Sequence, residues 1–588
     1  MSLRRIGIVL VTLVVLTANV AGAELPPNPK MENPIMFKET GKSGGELILA
    51  LNASPRGGAI DAAANIVGPY LRDPLVDDNP VTHELEPALA ESWEVSEDGT
   101  EVIFHLRKVK WSDGQPFTAD DVVFHFTYID MDPHNPGNQV SRYTINGKPI
   151  TWEKVDEHTV KANLPEPYGA FFRVLTHSRI QPMHIVKDYV PHFNPKAEPG
   201  STGKHMWNPD LPASTMVGTG SFRVASFASE QQVVLEKNPY SWRVDPEGNQ
   251  LPYVDKLIYL IVPNVQVQQA KFMAGEIDYL VIEPSMYPTL KREEVAGAGF
   301  RVFRGEPVNP TPSPPHWSFN FDIKDAELRE IFRDIRFREA MAKAIDYERI
   351  IDQIYNTLAI RSGMPVLPSN AAFFNPEIEN YRHDYDLAET AAILEELGIV
   401  DRNGDGFRDF PSGTPFEFTL TTAVNIQAHN DMAAMLQNDL ESIGVKVHLQ
   451  LQDSSLVGDR ALAGDFESMI HAYGNQPDPQ LRKAIWQPGR ALNYWHLSNM
   501  ISASEVNLDN MFDWEREIFD CFELGEVEMD QTLRKQYYDE WQVLMAKHLP
   551  VIFIVKGMDL SAAQNTLGNV FQTEQGVTVF TPYTVFKK

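Results

Sequence analysis

Between Phe416 and Leu451 the hydrophobic period of the chain switches twice, and this constrains the fold more than any other stretch. Phe416 to Leu420 reads as a short strand. From Asp431 to Ile443, Met432, Met435, Leu436, Leu440 and Ile443 share one face at helical spacing, and Gly444 supplies the stop. Val445, Val447, Leu449 and Leu451 then alternate with polar residues, as a half-buried strand requires. Strand, helix, strand in that order predicts a parallel crossover, so the class is α/β with mixed sheets. Val267 to Ala274, Gly275 and Ile277 to Ile282 predict a second helix-to-strand unit.

Antiparallel pieces stand beside these units. Trp93 to Val95 and Val102 to Leu106, joined by Ser96-Glu97-Asp98-Gly99, predict a hairpin. Thr118 to Asp121 resembles a capping box opening a helix whose Val122, Val123, Phe126 and Ile129 share a face. Leu549 to Val555 has the length of one buried strand. A chain of 588 residues exceeds one core, so two to four lobes are expected. The breaker-rich stretches Pro191 to Pro212 and Pro307 to Pro315 read as loops or linkers, and no repeat of solenoid length occurs.

Charge and cysteine usage narrow the function class and the compartment. With 80 Asp+Glu against 51 Lys+Arg the net charge is −29, which disfavours a nucleic-acid partner. Residues 1–23 read as a signal peptide: Arg4 and Arg5, an apolar run from Ile6 to Leu16 too short to span a bilayer, and small residues Ala21-Gly22-Ala23 before the expected cleavage. The single cysteine, Cys521, lies far from that site. It excludes an intramolecular disulfide and removes the usual point of lipid attachment, so a soluble, unanchored mature protein is expected. Its helical apolar surroundings predict a buried structural thiol.

The metalloprotease and nucleotide-binding signatures are missing: there is no H-E-x-x-H and no G-x-x-x-x-G-K-[ST]. Gly218-Thr219-Gly220-Ser221-Phe222 lacks the lysine and the helix of a phosphate loop and reads as a turn. Asp401, Asn403, Asp405 and Asp409 match part of a calcium loop, with Gly406 at the sharp turn, but Ser412 stands where a bidentate Glu belongs. A tight turn and a calcium site both remain open there; otherwise no cofactor is expected.

The segment from Pro87 to Phe124 resembles the family 5 extracellular solute-binding proteins of ABC importers, whose members include oligopeptide, dipeptide and nickel receptors. Blocks in family order follow at Val217 to Phe222, Lys237 to Tyr240, Ala274 to Asp278, Ile335 to Asp346, and Tyr538 to Trp541 through Leu549-Pro550. The resemblance implies a three-lobed type II periplasmic-binding-protein fold with a discontinuous first lobe (24–73, 214–305 and 560–588), an additional lobe (74–213) and a second hinge lobe (306–559). It also implies capture rather than catalysis: the lobes close over a ligand, and permease subunits in the inner membrane read the closed state. The receptor is expected to be periplasmic and monomeric.

In peptide receptors of the family, an Asp ahead of a Pro on the second hinge lobe pairs the ligand's α-amino group. Here Asn475 holds that position, and Asp478 is a nearby substitute. Trp317, Asn320, Tyr473, Trp486 and Trp495, with Tyr494, are the further candidate ligand contacts, since aromatic faces serve both peptides and sugar rings. An oligopeptide is the leading ligand, a neutral oligosaccharide the alternative, and a secreted glycoside hydrolase the remote rival.

Overall fold

The computed structural model describes residues 36–588 except 55–61, 80–83, 136–138, 141, 146, 203–211, 309–312, 475, 503–504 and 575. The expected signal peptide, residues 1–23, and Asn475 lie outside the described residues. Three bodies of sheet and helix surround one cleft.

The first body holds two sheets. In the larger, the strand Glu46–Leu51 pairs parallel with Lys256–Ile261, which pairs antiparallel with Gln232–Lys237 and, beyond it, Phe222–Ala228. Leu47, Leu49 and Leu51 alternate into the core against Leu257 and Tyr259, the period-2 placement that half-buried strands need. In the smaller sheet Asp559–Gln564 lies between Tyr279–Val281 and Phe300–Gly305, antiparallel to both. The first body is therefore discontinuous, assembled from chain segments near the start, the middle and the end.

The second body is a four-stranded antiparallel sheet built on the hairpin Ala90–Val95 and Glu101–Leu106. Its core contains Phe104, Trp111, Phe126 and Trp152, with the rings of Phe126 and Trp152 stacked at 4.0 Å. The predicted helix begins at Ala119, where the Thr118 N–H donates to Asp121 Oδ2 at 3.0 Å. It loosens into a π turn over Phe126–Asp130.

The third body carries the crossover. Glu417–Ala423 and Lys446–Gln452 pair parallel through seven residues, Glu417 opposite Lys446 and Ala423 opposite Gln452, bridged by the helix Gln427–Ser442. Ser468–His471, His316–Phe319 and Val551–Phe553 complete a mixed five-stranded sheet. The helices Asp513–Val527 and Gln531–His548 supply Phe522, Tyr538 and Trp541 to its core. The run Leu549 to Val555, predicted as one strand, is two: at Ile554, whose N–H donates to Pro315 O at 2.9 Å, the chain leaves the main sheet, and Val555–Gly557 pairs with Ala359–Arg361 instead. Leu481, from the third body, is buried in the core of the second, so the two are in contact there.

Candidate functional site

A cleft of about 1020 Å³ lies where the three bodies meet. The first contributes Tyr279, Val281 and Asp559, the second Asp77, Asp78, His177 and Arg179, and the third Tyr355, Ile426, His429 and Gln476. Opposite walls touch where His177 Nε2 meets Gln476 Oε1 at 2.9 Å. Burial pulls the His177 pKa down to about 4, so its imidazole is neutral near neutral pH.

The carboxylates of the cleft face donors of the protein itself. Asp78 is paired with Arg173. Asp77 lies 3.8 Å from Arg243 Nη2, and Asp559 Oδ2 accepts the Val308 N–H at 3.0 Å. Burial raises the pKa of both Asp77 and Asp78, partly offset by the neighbouring arginines. Behind Asp77, Arg243 Nη1 donates to the fully buried Asp73 at 2.6 Å. Trp242 lies between the guanidinium groups of Arg107 and Arg243, 4.7 and 4.6 Å from its ring, and donates Nε1 to Asp73 at 2.9 Å. This cluster joins the first body to the second.

The Gly218 to Phe222 loop belongs to the same seam. The Gly220 N–H donates to Leu71 O at 2.9 Å, and Thr219 Oγ1 accepts the Asp73 N–H at 3.1 Å. A Cβ on Gly218 would sit 1.8 Å from Leu71 O, so only glycine allows this approach.

The aromatic residues expected in the site belong instead to the core of the third body. Trp317 is fully buried, its ring 4.7 Å from Phe319. Trp486 packs against Phe553 at 5.7 Å and Trp541 at 6.3 Å, and Trp495 against Trp486 at 6.2 Å. The reason is the thickness of this body, where two long helices cover the sheet and need large side chains between the layers. Asn320 is a turn residue, donating to Gly464 O and Phe466 O and accepting from the Asp322 N–H. Tyr494 bridges His316 Nε2 at 2.9 Å and Ser318 Oγ at 3.0 Å, out of reach of the cleft.

Asp478 is also withdrawn from any ligand. Arg534 Nη1 and Nη2 donate to its two oxygens at 2.7 and 2.8 Å, both side chains are 1% exposed, and Oδ1 also caps the Pro479–Arg482 turn through the Gln480 N–H at 3.0 Å. Tyr473 is half-buried beside the cleft-lining Ala472 and spends its hydroxyl on Leu492 O at 3.1 Å.

In the loop from Asp401 to Asp409 the acceptors turn inward. Asp401 accepts the Gly404 and Gly406 N–H groups, Asn403 that of Asp405, Asp405 that of Phe407, and Asp409 that of Arg402. Gly404 and Gly406 have φ of 79° and 93°, as such a turn requires. Among the described residues no group of three or more His, Cys, Asp or Glu is placed to hold a metal.

Sequence reasoning missed His177, Gln476, Tyr355 and His429. For His429 a signal existed: it sits just past the carboxyl end of a predicted parallel strand, where α/β sheets bind ligands. The others are brought in from segments with no distinguishing pattern.

These features define a solute-binding protein with an interlobe cleft. Residues 84–487 match the bacterial extracellular solute-binding proteins, family 5 (Middle), and the chain belongs to that family. It is 28% identical to the "Probable ABC transporter-binding protein" of Deinococcus radiodurans over 382 residues, 64% of this chain and 62% of the relative. It is 29% identical to the periplasmic alpha-galactoside-binding protein of Rhizobium meliloti over 410 residues, 66% of this chain and 57% of the relative. The chain thus spans about three fifths of the length of these two relatives. Among solved structures it resembles an oligopeptide-binding protein OppA, with 27% identity and a TM-score of 0.71 over 94% of this chain and 91% of the other. The fold is that of the type II periplasmic binding proteins.

Proposed function

We propose that the protein is the capture receptor of an ABC importer, that it works in the periplasm as a monomer after loss of residues 1–23, and that its cleft takes a neutral, hydroxyl-rich solute of the oligosaccharide class. The pairing of Asp478 with Arg534 carries this reading. An α-ammonium brought into a buried cleft needs a carboxylate, and a buried charge without one is costly. Asp478 is bound to Arg534, and Asp77, Asp78 and Asp559 face donors of the protein itself. A neutral ligand asks for no such partner. The alpha-galactoside-binding relative supports the same class.

The sequence ranks an oligopeptide first, and it stays the second reading, favoured by the likeness to OppA along nearly the whole chain. In either case the chemistry is binding: lobe closure buries the solute, and the closed form is what the permease engages.

A thermal-shift screen of uncharged tri- and tetrasaccharides against tri- to pentapeptides tests the reading. A sugar at 100-fold over its Kd should stabilise the receptor by about 2.7 kcal/mol. Stabilisation by peptides alone would overturn the sugar class, and release of reducing ends would overturn capture itself.

A further inference from the structure

One wall of the cleft holds hydrogen-bonding capacity that the protein does not use. His429 stands in the first turn of the helix Gln427–Ser442, lines the cleft, and is 7% exposed. Neither of its ring nitrogens bonds to a described residue. Its neighbour His471, at the end of the strand Ser468–His471, is half-buried and likewise unbonded, its ring 4.8 Å from Tyr473 and 6.5 Å from His316. The third histidine of the group, His316, does have a partner, Tyr494. A nearly buried polar group left unsatisfied costs about 1–3 kcal/mol, so such groups normally face water or a ligand.

The surroundings narrow the chemistry. The helix begins at Ile426 without a side-chain cap; the His429 N–H donates to Ile426 O at 3.0 Å, and the Gln427 and Ala428 N–H groups have no partner among the described residues. Ile426, Ala428 and Ala472 supply apolar surface in the same cleft, and neither of its cations, Arg179 and Lys556, is among the groups that shift His429 or His471. Burial holds His429 and His471 neutral, and the titratable neighbour that acts on His429 besides burial is His471 itself, which lowers its pKa further. A neutral imidazole is a donor at one nitrogen and an acceptor at the other. That is the complement of a hydroxyl group, whereas a carboxylate would find no cation here and an ammonium no anion.

We propose that His429 and His471, with the first turn of the helix Gln427–Ser442, form the subsite that grips the hydroxyls of one uncharged sugar ring, and that His429 is a specificity-determining residue of the receptor. This rests on the neutral-solute reading of the cleft and assigns part of that cleft to it. Ile426 and the two alanines give the apolar C–H face of the ring a surface, while the imidazoles read its hydroxyl edge.

The experiment is isothermal titration of the full-length receptor with raffinose, stachyose, maltotriose and cellotriose, and with a tripeptide as the opposing probe. For the tightest sugar, His429→Leu should weaken binding at least about tenfold, the worth of one lost ligand hydrogen bond with its unpaired partner. His429→Gln, which keeps a donor and an acceptor, should stay within about threefold, and His471→Leu should fall between the two. A merely structural histidine would not be rescued by glutamine in binding. Sugar binding that is unchanged in both leucine variants overturns the subsite while leaving the neutral-solute reading intact. A wild-type receptor that binds the tripeptide and none of the sugars overturns that reading and the subsite together.

Discussion

Replacing Asp478 with alanine removes both acceptors of the Arg534 fork and leaves a guanidinium at 1% exposure with Gly525 O at 2.9 Å and the Tyr538 hydroxyl at 3.4 Å. Burial by itself would lower the Arg534 pKa, and the Asp478 carboxylate more than reverses this, so the charge persists only because the pair is intact. Breaking a buried pair on one side costs about 3–5 kcal/mol. Loss of the cap on the Gln480 N–H adds about 1 kcal/mol. Urea unfolding followed by tryptophan fluorescence reports on this directly, because Trp317, Trp486, Trp495 and Trp541 all belong to the same core. The Asp478→Ala midpoint should fall steeply. Asp478→Leu combined with Arg534→Met should recover most of the loss, since apolar pairs of similar volume replace buried ion pairs without penalty. If Asp478→Ala keeps its urea midpoint but loses its ligand, Asp478 is a ligand anchor and the argument from the paired carboxylate fails.

Acid should destabilise the protein well before its carboxylates titrate. Burial holds His177, His429 and His471 at about 4 and His316 at about 3, below the ordinary imidazole value of about 6.5, so the unfolded chain takes up these protons first. Their contribution is complete above about pH 6.5 and is lost as pH falls from there towards 4, at about 2 kcal/mol per histidine by pH 5. A Tm that stays flat from pH 7.5 to about pH 5 would contradict it. Gly218→Ala should loosen the seam between the first two bodies and lower Tm, because the obstructing atom is the backbone oxygen of Leu71; an unchanged Tm would show that the seam can shift. Cys521 is buried and its thiol is pushed up to about 12 by desolvation, so a thiol reagent should label it only as the protein unfolds, and rapid labelling of native protein would refute its placement.

The crossover from Glu417 to Gln452 was legible because three physical signals agree within it: period, length and a glycine stop. The helix starts earlier than expected, at Gln427, because Gln427 to Asn430 carry no apolar stripe to announce it. The run Leu549 to Val555 misled for the opposite reason. Its apolar residues are uninterrupted, and the partners on either side of Ile554, His316–Phe319 and Ala359–Arg361, come from segments far away in sequence. The candidate site was less readable still. Tryptophan pays equally well in a core and in a binding cleft, and periodicity cannot separate the two destinations. Asp478 could be placed in a turn between Pro477 and Pro479, but its partner Arg534 is 56 residues distant and nothing local marks it.

The strand Asp559–Gln564 lies in the middle of its sheet, between Tyr279–Val281 and Phe300–Gly305, although it is among the last pieces of chain to be made. Until it arrives those two strands have no shared neighbour, and the first body has an open slot where its centre belongs. Synthesis order therefore delays completion: a nascent chain stopped before Asp559 contains most of its mass yet cannot close the lobe that began at Glu46. A polypeptide wired in this way can complete that sheet only after its late strand is available to both partners.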